Sequence, residues 1–329
     1  MNYREISEVR DGMRIDWDMP ITMDDGVVLR CDIFRPTTEG KYPVVLTMGP
    51  YGKWLHFDDL YSAQWKTMCE THPEVPTDST NKYQVWEVVD PEKWVPDGYV
   101  VVRVDSRGAG RSQGVIDIWS LREAKDLACC VEWAGVQPWS NGKVGLNGIS
   151  YYAINQWHAA GLQPPHLAAM IPWEGFADFY RDFAYHGGIG CDMKDVWYRR
   201  TTTTVQHGLG TRALKNRNTG ELVAGPDTLT DAANAALYGQ AGLEAAYRAQ
   251  FIHGSGRMAG QLQQDFVPHH TATAHIAIER REALLPKTIH VIREVEARLC
   301  CGTEKGAEQR ILRRPFLQLE RTVVTTPCG

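Results

Sequence analysis

The chain has 329 residues, enough for one large domain and a smaller one. With 43% hydrophobic residues, 23% charged residues and a net charge of −5, it has an ordinary globular composition that sets aside nucleic acid or an anionic membrane as the main partner. No apolar run is long enough to span a bilayer, and the charged stretch at residues 1–11 lacks the apolar centre of a signal peptide, so a cytoplasmic location is expected.

Eight cysteines, at 31, 69, 129, 130, 191, 300, 301 and 328, contain no Cys-x-x-Cys pair. They read as reduced thiols rather than a disulfide framework or a zinc site, and neither metal nor cofactor is expected. The composition shifts along the chain. All 11 tryptophans lie at or before Trp197 and all 13 tyrosines at or before Tyr247, whereas residues 251–329 carry 11 Lys and Arg against 8 Asp and Glu.

In chain order, residues 13–36 open a sheet. Asp24-Asp25-Gly26 signals a turn, and Val27, Leu29, Cys31 and Ile33 alternate as a half-buried strand should. Residues 42–48 form a continuously apolar strand of the kind buried on both faces of a parallel sheet, and it empties into Gly49-Pro50-Tyr51-Gly52-Lys53. Residues 54–95, rich in Trp, Tyr, His and Pro, read as an insertion with short helices.

A third buried strand over 98–105 leads into the glycine-rich loop 106–114. No Gly-Lys-Ser/Thr follows, and the glycines do not have dinucleotide-binding spacing, so a tight turn beneath a site is favoured over a phosphate cradle. Ser120-Leu121-Arg122-Glu123 is a capping box opening a helix that puts Leu121, Ala124, Leu127, Ala128 and Val131 on one face. Asn141-Gly142 is expected to turn the chain into the next strand.

Residues 143–161 read as a strand, a sharp bend with Ser150 at its tip, and a helix closed by Gly161. This is the pattern of a nucleophile elbow, which presents a serine hydroxyl where a base and a carbonyl carbon can both reach it. Gly148 satisfies the Gly-x-Ser half of the motif, but Tyr152 stands where the strict pattern has glycine. A serine that merely caps the following helix is the competing reading. Residues 166–172 form a further strand, so strand and helix alternate to about 172 and predict a doubly wound α/β sheet. From 175 to 250 helix-prone sequence is expected, clearest at 232–246.

Four segments carry a resemblance to the cocaine esterase and X-Pro dipeptidyl-peptidase-like serine hydrolases, α/β-hydrolases that include the α-amino acid ester hydrolases. They are Gly148-Ile149-Ser150-Tyr151-Tyr152-Ala153, with Ala153 in place of a glycine; Asp105-Ser106-Arg107-Gly108 with Ser112-Gln113-Gly114; Pro50-Tyr51; and Asp126, Trp133, Trp139, Gly142 and Gly145. Together they span roughly residues 13–200. The resemblance implies an α/β-hydrolase fold with Ser150 as nucleophile and an oxyanion hole made by the Tyr51 hydroxyl and the Tyr151 backbone N–H. It implies a small ester or amide as substrate, small carboxylic esters ahead of Pro-containing peptides, while Asp105 and Arg107 read as structural.

No family motif for the acid and base appears after 250. Asp265 is the tail's one aspartate, and with His290 it has the Ser, Asp, His chain order of this fold. The division expected is a hydrolase core at 1–174, a partial helical cap at 175–250 and an unassigned tail at 251–329. A chain cut short or altered after about 250, without the family's C-terminal β-sandwich, would leave a sheet edge open to self-association. A catalytically inactive hydrolase-like fragment is the alternative to an active serine esterase.

Overall fold

The computed structural model describes residues 5–176, 178–191, 197 and 201–228. A seven-stranded sheet organises them. β1 (Ile6–Arg10), β2 (Met13–Thr22) and β3 (Val28–Pro36) form an antiparallel meander. Asp11 and Gly12 both take positive φ in the two-residue hairpin between β1 and β2, the conformation a tight hairpin needs to match strand twist. β4 (Tyr42–Gly49), β5 (Val100–Asp105), β6 (Ser140–Ile149) and β7 (Leu167–Trp173) pair in parallel. The sheet order is β1-β2-β3-β5-β4-β6-β7, with β3 antiparallel to β5.

Between β4 and β5 the insertion carries α1 (Phe57–Leu60), α2 (Ser62–Thr71) and α3 (Pro91–Trp94), as its composition suggests. α4 (Leu121–Gly135) precedes β6, and α5 (Tyr151–Gly161) follows it. No helix among the described residues is long and apolar enough to cross a membrane.

The two-residue period of the strands sorts the core onto two faces. Val100, Val102 and Val104 of β5 join Val44, Leu46 and Met48 of β4 and Leu127, Cys130 and Val131 of α4 in one cluster. Val101 points the other way, into Met13, Ile15, Trp17, Phe34, Trp54 and Tyr83. Both faces are covered, which is why β4 and β5 read as unbroken apolar runs.

Three expectations are corrected. β3 is buried on both faces rather than half-buried, because Arg30 and Asp32, on the face opposite Leu29, Cys31 and Ile33, are themselves enclosed. Asn141-Gly142 is no turn before the strand: β6 already begins at Ser140, and Gly142, at φ 83°, sits where the β4–β6 register shifts between Tyr42 and Val44. The described part of 175–228 is less helical than expected, with a π-helical turn at Phe179–Ala184, the two-residue strands β8 (Tyr185–His186) and β9 (Ile189–Gly190), and two 3-10 turns. Residues 232–246 and the tail lie outside the described residues.

The enclosed polar groups form one network. A bulge in β2 puts Asp18 at φ 56° with its carboxylate fully buried. Lys53 Nζ lies 2.8 Å from Asp18 and 2.9 Å from Asp32, and Arg111 Nη2 lies 2.8 Å from Asp18. The Trp54 indole N–H donates to Asp32 at 2.8 Å. Asp105 accepts the backbone N–H groups of Lys53 at 2.6 Å and Arg111 at 2.8 Å. Burial works to raise the Asp18 pKa, but Lys53 and Arg111 overcome it and hold the carboxyl at about 2. Burial likewise works against the Lys53 charge, and the facing aspartates raise its pKa above the ordinary lysine value.

Removing one member of such a set leaves buried charge uncompensated. Lys53→Met is expected to lower unfolding free energy in urea by about 3–5 kcal/mol. A loss below about 1 kcal/mol, the range of an exposed pair, would show that the network is not energetically closed.

Candidate active site

β4 and β6 are neighbours in the sheet, and the chain leaves β4 toward β5 on one side but leaves β6 toward β7 on the other. In an open α/β sheet such a reversal opens a crevice outside the carboxyl ends of the strands. The chain leaving β4 carries Tyr51, and the chain leaving β6 carries Ser150.

Ser150 joins β6 to α5 at φ 54° and ψ −111°, a strained conformation for a residue with a side chain. A helix-capping serine sits in the extended region and accepts a backbone N–H through its hydroxyl. Ser150 does neither: it makes no side-chain cap bond. Its backbone is clamped instead. The Ser150 N–H donates to Trp173 O at 2.9 Å, Ile149 N–H donates to Glu87 O at 3.2 Å, and Ser150 O accepts from Ala153 and Ile154 N–H.

Close packing explains both the match to the elbow motif and the departure from it. A Cβ on Gly148 would fall 2.2 Å from Tyr152 Cβ, so residue 148 has no room for a side chain. Ala153 replaces the glycine of the resemblance, and the space is recovered across the contact: a Cβ on Gly175 would lie 2.8 Å from the Ala153 methyl carbon.

Tyr51 is 2% exposed, and its ring packs edge-on against Tyr151 and Tyr152 with centroids 5.9 and 5.6 Å away. Burial, then the nearby Glu87, push its pKa well above the ordinary tyrosine value, while a hydrogen bond with the Trp197 side chain works the other way. The indole N–H is donor only, so the phenol oxygen accepts it and keeps its own proton to donate. The Tyr151 N–H belongs to the first turn of α5, where backbone donors have no carbonyl partner within the helix. The Tyr51 ring thus packs against the two residues that follow the serine in the first turn of α5.

The Tyr151 side chain is anchored from behind. Its hydroxyl lies 2.7 Å from both oxygens of Glu123, which also accepts the Trp119 N–H at 2.7 Å. Half of the capping box forms, with Ser120 Oγ accepting the Glu123 N–H at 3.1 Å, and the carboxyl group is turned toward the elbow instead of back to Ser120. Trp119 stacks on Tyr151 and on Trp197, at centroid distances of 4.8 and 5.3 Å, and Phe176 and Phe183 meet its edge. The concentration of Trp and Tyr before residue 200 was the available sign of this aromatic wall. Glu87, Glu123 and Trp197 carry no motif that singles them out.

The glycine-rich loop 106–114 is packed on its own chain. A Cβ on Gly110 would lie 2.3 Å from an Asp105 carboxylate oxygen, and one on Gly108 would strike the backbone of Ile116 at 2.2 Å. A carboxylate thus fills the space that a phosphate would need. Arg107 pairs with the buried Asp126 of α4 at 2.8 Å and with Asp25 at 2.9 Å, which ties this loop to α4 and to the β2–β3 turn. A small open cleft lies elsewhere, lined by Trp17, Phe34, His56, Tyr83 and Arg103 among others, and neither Ser150 nor Tyr51 borders it. Asp265 and His290 lie outside the described residues.

Residues 25–266 match the family model described as X-Pro dipeptidyl-peptidase (S15 family). The chain belongs to that family. It is 33% identical over 161 residues to the cocaine esterase of a Rhodococcus species, a match covering 49% of this chain and 24% of that protein. It also resembles the crystal structure of a CocE/NonD family hydrolase from Staphylococcus aureus, with 43% identity and a TM-score of 0.50 over 58% of this chain and 33% of that one. The chain spans about a quarter of the length of the curated relative and about a third of the solved structure. The sheet order, the elbow and these matches together make the fold an α/β-hydrolase.

In this S15-family chain the elbow supports act on stability as well as shape. Burial pushes Glu123 up to about 8 from an ordinary 4.5, and Asp105 up to about 7 from 3.8. The folded state therefore holds protons that the unfolded chain releases, and stability falls as pH rises from about 5 to 8. Calorimetry should show the melting temperature declining over that window, with a shallower decline in Glu123→Gln. An identical slope in the variant would mean that Glu123 is already ionised at low pH.

Proposed function

We propose that this chain is a serine hydrolase that cleaves carboxylic esters or amides through an acyl-enzyme. The observation that carries this is Ser150: strained at a strand–helix junction, with no helix-cap bond, and followed by Tyr151, whose ring packs against the buried Tyr51. A serine hydroxyl becomes nucleophilic when a base removes its proton. The base and its orienting acid are expected after Ser150, in the chain order of this fold.

Attack of Ser150 Oγ on the carbonyl carbon moves a bonding pair onto the carbonyl oxygen while the serine proton passes to the base. The Tyr51 hydroxyl and Tyr151 N–H stabilise that oxyanion. Collapse expels the alcohol or amine with the same proton, and water then releases the acid by the reverse sequence. A neutral phenol held rigidly by three aromatic neighbours suits the task, because it needs no reorganisation as the charge develops. The wall of Trp119, Trp197, Phe176 and Phe183 favours esters with an apolar or aromatic group, and small carboxylic esters are favoured over Pro-containing peptides.

The full-length chain is expected to release a stoichiometric burst of p-nitrophenol from p-nitrophenyl acetate. Ser150→Ala should abolish the burst. A burst unchanged in Ser150→Ala would end the reading, and no burst at all would favour the catalytically inactive scaffold. Tyr51→Phe should lower kcat by about 10²–10³-fold, the effect of losing one oxyanion donor. Its unfolding free energy should fall by no more than about 1.5 kcal/mol, the loss of one hydrogen bond.

A further inference from the structure

We propose that Glu87 is a positioning residue of the hydrolytic site, an acid that must keep its proton while negative charge gathers on the substrate oxygen beside Tyr51. This rests on the hydrolase reading above and adds a residue to it.

Three non-glycine residues with left-handed backbones meet at the elbow: Glu87 at φ 62°, Ser150 at φ 54° and Glu174 at φ 52°. Such strain persists only where the surroundings over-determine it, and it clusters at functional sites. The conformation of Glu87 serves two ends. Its carbonyl accepts the Ile149 N–H, which fixes the last residue of β6 before the serine. Its side chain meanwhile lies close enough to Tyr51 and Tyr152 for its charge to act on both phenols.

Glu87 as a whole is only half-buried, yet Oε2 is sealed from solvent and has no hydrogen-bond partner among the described residues. Such an atom in a functional crevice calls for an explanation. Among the described residues, the groups that face it are the Tyr51 phenol from the loop after β4, the Tyr152 phenol from α5, the Trp86 indole from its own segment and the Glu174 carboxylate from the end of β7. None of these is a cation that could stabilise an ionised Glu87. Trp86 is held in turn by Tyr61, stacked at 3.8 Å, and by Phe57 at 4.7 Å, so the carboxyl group sits on a rigid wall.

A neutral carboxylic acid here leaves the oxyanion hole electrically clear. An ionised one would place a like charge beside the developing oxyanion and would also hold the phenol proton more tightly, which weakens Tyr51 as a donor. Burial pushes Glu87 up to about 8, the Trp86 indole works against that rise, and the Glu174 carboxylate adds to it. The group is therefore neutral below about pH 8 and charged above it, so activity is present at neutral pH and lost as pH rises through that value.

The test is kcat/KM for p-nitrophenyl acetate from pH 6 to 10, corrected with Ser150→Ala, alongside labelling of Ser150 by a fluorophosphonate. The native chain should lose on the order of tenfold across the alkaline limb. Glu87→Gln, neutral at every pH, should hold its own pH 7 value to pH 9.5 and so show no such limb. Should that variant fail to fold, Glu174→Gln serves in its place: removing an exposed like charge lowers the Glu87 pKa and should move the limb to lower pH. An alkaline limb unchanged in Glu87→Gln, or unmoved in Glu174→Gln, overturns the role of Glu87 and leaves the hydrolase reading standing. No turnover and no Ser150 labelling at any pH overturns both.

Discussion

The structure depends on a buried set of charges in which two cations and three carboxylates hold the strand ends together. Lys53 and Arg111 reach Asp18 on the β2 bulge, Lys53 also reaches Asp32 on β3, and Asp105 at the end of β5 takes the backbone N–H groups of both cations' residues. None of these groups could be left alone in the interior, because the cost of desolvating a charge is recovered only by a well-placed partner. The chain after β4 must therefore run where Lys53 can be neutralised. Tyr51 lies two residues earlier on that same stretch, so the position of the phenol follows from the ion network.

That coupling explains a division of labour among the acids. Asp105 and Asp126 bind loops to the frame: Asp105 through backbone donors, Asp126 through Arg107 and Arg122. Glu123 and Glu87 face the elbow instead. Glu123 anchors the Tyr151 hydroxyl, and burial keeps its carboxyl protonated up to about 8. A helix cap would ordinarily favour a charged residue at this point of α4. Here the carboxyl group bridges the Trp119 N–H just before α4 and the Tyr151 hydroxyl in the first turn of α5.

The sequence showed what depends on local chemistry. Continuous valine runs placed β4 and β5, Ser120 placed the start of α4, and Gly148-Ile149-Ser150 placed the elbow, because each signal is a steric or hydrogen-bonding demand made by neighbours in the chain. It could not show what depends on distant partners. Arg30 and Asp32 look like the solvent face of β3, and only the bulge at Asp18 and the return of Lys53 reveal why they are enclosed. Ala153 looked like a defect in the elbow until Gly175, more than 20 residues on, was found against it. Glu87 sits in an insertion without periodicity, and nothing within ten residues announces that it will meet the end of β6.

Strain and neutrality together account for the crevice. The elbow holds Ser150 in a backbone state that favours glycine, and two flanking carbonyls, from Glu87 and Trp173, stop it from relaxing by taking the N–H groups of Ile149 and Ser150. Around this fixed point the described side chains that act on the phenol are aromatic rings and a carboxyl group that burial keeps uncharged near neutrality. In the proposed hydrolase, such a site would stabilise negative charge with directed N–H and O–H dipoles. Dipoles of this kind are strong only where water is excluded and neighbouring charges are silent. The buried aromatics supply the first condition, and the burial of Glu87 beside another carboxylate supplies the second.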